Sequence, residues 1–150
     1  MLNLLVIAPA GLLAASYGMH EAADYLNARF CPGDAELCAI VGYQDDELSH
    51  LLFFAGFTGI AAVLPAAQAT VATTARRKDR ALILANASLV AAAIVANLSF
   101  EEIGLDLIVV AAVAAGAIAL WLRLGPRPLI LYFAASYTAG LVVAAALTMQ

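Results

Sequence analysis

Five long apolar runs with only short polar stretches between them constrain this chain more than any motif within it. They cover about residues 2–25, 46–75, 81–100, 107–122 and 129–149. An α-helix rises 1.5 Å per residue, so about 18–20 apolar residues cross the ~30 Å hydrocarbon core of a bilayer, where backbone polar groups must be satisfied internally. The expected fold is all-α: a polytopic integral membrane protein with five transmembrane helices in an up-down bundle, forming one transmembrane domain over residues 1–150. Composition agrees, since 65% of the 150 residues are hydrophobic and only 12% are charged, about half the charge of a soluble domain. Too little sequence lies outside the runs for a separate soluble domain.

Charge orders the runs across the membrane. Six of the seven basic residues, Arg76, Arg77, Lys78, Arg80, Arg123 and Arg127, follow the second and fourth runs. The positive-inside rule puts those two loops in the cytoplasm, which makes the N-terminus cytoplasmic and the C-terminus extracytoplasmic in a multi-pass protein of the plasma (inner) membrane. Of the eleven acids, only Asp79 shares the basic side. The segment from Arg76 to Arg80 reads as an anchor near anionic lipid. With no phosphate loop and no metal finger, nucleic acid is not an expected partner. The first run has no Lys or Arg before it and passes into His20, Glu21 and Asp24 without a cleavage signal, so it reads as a span and not as a leader.

Cys31 and Cys38 both lie in the expected extracytoplasmic loop, residues 26–45. In an oxidising compartment that spacing suits a local disulfide, and it does not match the Cys-x2-Cys pattern of zinc or redox sites.

The polar residues that carry chemistry gather at the outer ends of the first three helices. Residues three and four apart share a helical face, so Tyr17, His20, Glu21 and Asp24 form one stripe. His50 shares a face with Asp46 or Glu47, and Phe53, Phe54 and Phe57 continue it inward. Asn86, Asn97 and Glu101 align on the third helix, where Glu101 and Glu102 sit near the C-terminal end that disfavours negative charge. Asp45 and Asp46 read as ordinary helix-start residues of the second helix, and Asp106 as the start of the fourth.

Imidazole nitrogen and carboxylate oxygen together suit a divalent metal. The expected ligands are His20, Asp24, Glu47 and His50, with Glu101 or Glu102 as general base. Glu47 and His50 make one Glu-x-x-His element where di-iron bundles need two, so a single Zn, Fe or Cu ion is expected. Haem ranks below it, because both histidines lie near the interface. Two other classes stay open. One is an accessory or assembly subunit, whose small Ala-rich faces would meet other membrane subunits or a second copy within the lipid bilayer. The other is a small proton-coupled transporter, with Asn86, Asn97 and Glu101 lining a path and Pro65 as hinge.

Overall fold

A computed structural model describes residues 2–31, 36–100 and 105–148, and among these there is no strand. Helix α1 spans Leu2–Phe30 and α2 spans Glu36–Tyr43. A π-helical stretch, Gln44–Leu48, carries α2 directly into α3, Ser49–Ala69. Helices α4, Arg77–Phe100, α5, Leu105–Leu124, and α6, Pro128–Thr148, complete the chain. Among the described residues, five helical stretches are long and apolar enough to cross a membrane: Leu4–Phe30, Glu36–Ala69, Arg77–Leu98, Asp106–Leu124 and Pro128–Leu147. The chain thus has the architecture of a multi-pass membrane protein.

The edges of the spans differ from expectation in two places. The stretch expected as a loop over 26–45 is largely helical, since α1 continues to Phe30 and helix resumes at Glu36. Cys31 and Cys38 close the short connection, with Cα atoms 5.5 Å apart in a disulfide. Asp45 and Asp46 therefore lie well inside a continuous helix and do not start one. At the other end α3 stops at Ala69, not near Ala75. Gln68 turns its side chain onto Thr73 Oγ1 at 2.8 Å, and Thr70 Oγ1 donates to the Ala67 carbonyl at 2.8 Å. These local bonds compete with helix continuation. Helix α4 then begins with the Asp79 carboxylate accepting the Arg76 backbone N–H at 3.2 Å, the return half of a capping box. The basic segment is thus mostly the first turn of α4.

The contacts separate into two compact units, Met1–Ile60 and Ala61–Gln150. In the first, α1 lies against α2, the π-helical stretch and the start of α3. The contacts pair Pro9 with Gly59, Leu13 with Gly56 and Tyr17 with Phe53, so α1 and α3 run antiparallel. A Cβ on Gly56 would stand 2.7 Å from the Pro9 carbonyl oxygen, and one on Gly59 would stand 2.8 Å from the Pro9 ring. Glycine at both positions lets the two backbones come this close.

In the second unit α6 packs against both α4 and α5. Ala87, Ala91 and Ile94 from α4, Val110, Ala114 and Ala117 from α5, and Ile130, Phe133, Ala134 and Tyr137 from α6 are buried there. Each set recurs at three- and four-residue spacing, which makes one face per helix. Gly140 admits Ile94, whose Cγ2 lies 2.7 Å from where a Cβ would be. Arg127 donates to the Gln68, Ala69 and Val71 carbonyls at 3.1, 2.7 and 3.1 Å. It thereby satisfies backbone acceptors at the end of α3, where a cation also suits the helix dipole.

Candidate histidine and carboxylate site

The centre of the site is Asp45, in the π-helical stretch, with 6% of its surface exposed. His20 reaches it from α1, placing Nδ1 2.7 Å from Asp45 Oδ1, while the imidazole itself stays half exposed. No aligned hydrogen-bond donor serves that oxygen among the described residues. The His20 imidazole is the polar group that the described contacts bring to it.

The widened turn explains how Asp45 and the residues after it are held. In a regular helix the Ser49 N–H would bond to the Asp45 carbonyl. Here it bonds to the Gln44 carbonyl, one residue further back. The Asp45 carbonyl accepts the Ser49 hydroxyl in its place, and the Asp46 carbonyl accepts Nδ1 of His50. One local irregularity thus fixes a buried serine and orients an imidazole, in the way single π-turns commonly serve functional sites.

His20 and His50 come together, with ring centres 5.8 Å apart and planes inclined by 59°. Beneath them Tyr17 meets Phe53 edge-on at 6.0 Å, and Phe53 stacks on Phe57 at 5.6 Å. This aromatic row continues the stripe expected from Phe53 and Phe57, and it gives the imidazole pair an apolar floor.

Of the expected ligands, the structure gathers His20 and His50. Asp24, one turn beyond His20 on α1, and Glu47, within the π-helical stretch, are both exposed. Among the described residues no group of three or more His, Cys, Asp and Glu side chains is arranged to hold a metal ion. Glu101 and Glu102 lie outside the described residues. Asp45 is the residue that sequence reasoning misses, because an acid just ahead of an apolar run reads as a helix start. The apolar stretch Leu37-Cys38-Ala39-Ile40-Val41 before it was the available signal, since it is long enough to form helix ahead of the acids.

Comparison with known protein families, with curated proteins and with solved structures finds no match to this chain.

Proposed function

We propose that this chain is a membrane protein that binds a single transition-metal ion, Zn, Fe or Cu, through His20 and His50, with Asp45 orienting His20. The observation that supports this best is the pairing of the two imidazoles at 5.8 Å. Nitrogen–metal bonds of about 2.0–2.1 Å put the centres of two rings on one ion roughly 5–6.5 Å apart. Both rings also direct Nδ1 to an oxygen of consecutive residues, the Asp45 carboxylate and the Asp46 carbonyl. Metal-binding histidines are commonly held in this way, with one ring nitrogen on a carboxylate or carbonyl and the other toward the ion.

Asp24 and Glu47, each one turn from a histidine in sequence, are the carboxylates that would join the shell on metal binding. The remaining positions would go to water or to an external ligand, as at an open metal site. Metal analysis and titration of the purified protein test the reading. About one ion per chain is expected in the wild type, with loss of binding in His20→Ala and in His50→Ala. Asp45→Asn should weaken affinity by roughly 10–100-fold, and Asp24→Asn or Glu47→Gln by less than either histidine change. Absence of stoichiometric metal, or binding indifferent to both histidines, would sink the proposal.

A further inference from the structure

Arg127 joins two basic segments that are far apart in the chain. From the turn into α6 its guanidinium donates to the Gln68, Ala69 and Val71 carbonyls, so the connection from α5 to α6 lies against the connection from α3 to α4. Further along, Ile94 of α4 meets Gly140 of α6. The stretch from Val71 to Arg77 is too short for any but a parallel arrangement of those two helices, both beginning at this end. Gly125, at a φ of 76°, closes α5 by donating to the Trp121 carbonyl at 2.8 Å, and the Arg127 N–H returns to the Gly125 carbonyl at 2.9 Å. Arg123 and Arg127 thus share one tight turn.

Six cations gather at this end of the second unit, Arg76, Arg77, Lys78, Arg80, Arg123 and Arg127, against the single carboxylate of Asp79. That carboxylate accepts the Arg76 backbone N–H. Arg80 donates from Nε to the Ala75 carbonyl at 3.1 Å. Arg76, Arg77, Lys78 and Arg123 are exposed and form no ion pair among the described residues. Free N–H groups at the starts of α4 and α6 add positive potential at the same end. Trp121, the only tryptophan in the chain, is exposed one turn before Gly125, where an indole sits at headgroup level.

We infer that this end of the unit is a binding surface for anionic phospholipid, with headgroup phosphates held by Arg76, Arg77, Lys78 and Arg123. Arg127 is the brace that makes the two basic segments one surface. Guanidinium pairs with phosphate through parallel N–H donors, and a cluster of four or more Lys and Arg beside a span attracts anionic lipid. The cluster lies at the ends of helices long and apolar enough to cross a bilayer, which makes lipid and not free phosphate the ligand. The Arg76–Arg80 segment alone reads as an anchor; the bonds of Arg127 add Arg123 to it. The surface is independent of the histidine site.

The test reconstitutes the full chain in mixed phosphatidylcholine and phosphatidylglycerol, with bromine on the acyl chains of one lipid or the other, and follows quenching of Trp121. A several-fold preference for phosphatidylglycerol is expected, shrinking as NaCl is raised. Arg123→Gln should lower the preference, as should Arg76→Gln, Arg77→Gln and Lys78→Gln together, and all four combined should bring it close to one. Should the combined variant not fold, Arg123→Gln and the salt series on the wild type decide. The inference is overturned if the two lipids quench the wild type equally, if salt leaves the preference unchanged, or if Arg123→Gln has no effect. Loss of the preference on adding excess glycerol phosphate would overturn the assignment to lipid.

Discussion

Asp45 and His20 depend on each other unequally, because the carboxylate is buried and the imidazole is half exposed. Removing the imidazole leaves a buried carboxyl group without its polar neighbour, at a typical cost of about 1–3 kcal/mol, whereas an amide in place of the carboxyl group still offers an acceptor. His20→Ala should therefore lower the unfolding temperature of metal-free protein more than Asp45→Asn does. The reverse order in a thermal melt would contradict the role given to the pair. Beyond its reading as a helix start, Asp45 is hidden from sequence by the π-turn that follows. An extra residue in a helical turn rotates everything beyond it by about 100° relative to what came before. Across residues 44–48 regular helical spacing therefore no longer says which acids share a face with His50. His50 is recognisable regardless, since histidine in an apolar run is chemically distinctive, and so is His20.

Helix α3 meets α1 where one carries Pro9 and the other Gly56 and Gly59. Proline donates no N–H to the helix, and the glycines let the facing backbone pack directly on that turn. Gly56→Ala puts a methyl group 2.7 Å from a backbone oxygen and 2.8 Å from the Leu13 nitrogen, neither of which is a flexible side-chain tip. A destabilisation of about 1–3 kcal/mol is expected, measured by denaturant unfolding against Gly18→Ala, which meets nothing within 4 Å. Equal stabilities of the two variants would show that the close approach is not needed. This contact was illegible in the sequence: membrane helices are apolar all round, so hydrophobicity does not mark the packing face, and two glycines three apart do not make a GxxxG motif. The existence of each helix was legible, because every run is long enough to span. Their ends were less so, since acids near an apolar run look alike whether they start a helix or lie within one.

Five apolar helices fit a multi-pass membrane protein, and the basic residues supply the proposed orientation, with the N-terminus inside and the C-terminus outside. Labelling of single cysteines placed near each terminus, in sealed vesicles of known sidedness, checks it. Reagent confined to the outside should reach the C-terminal position only, and the opposite pattern would reverse the assignment. In that orientation His20, Asp45 and His50 lie toward the extracytoplasmic side, the side that also carries the Cys31–Cys38 disulfide and on which disulfides persist. The exposed imidazole of His20 would then draw metal from outside the cell. X-ray absorption at the edge of the metal bound to reconstituted protein probes that proposal most directly. Two imidazoles at about 2.0–2.1 Å are expected in the wild type, with the bound-metal signal itself lost in His20→Ala and in His50→Ala. A spectrum without imidazole scattering, or one unchanged in both variants, would contradict it.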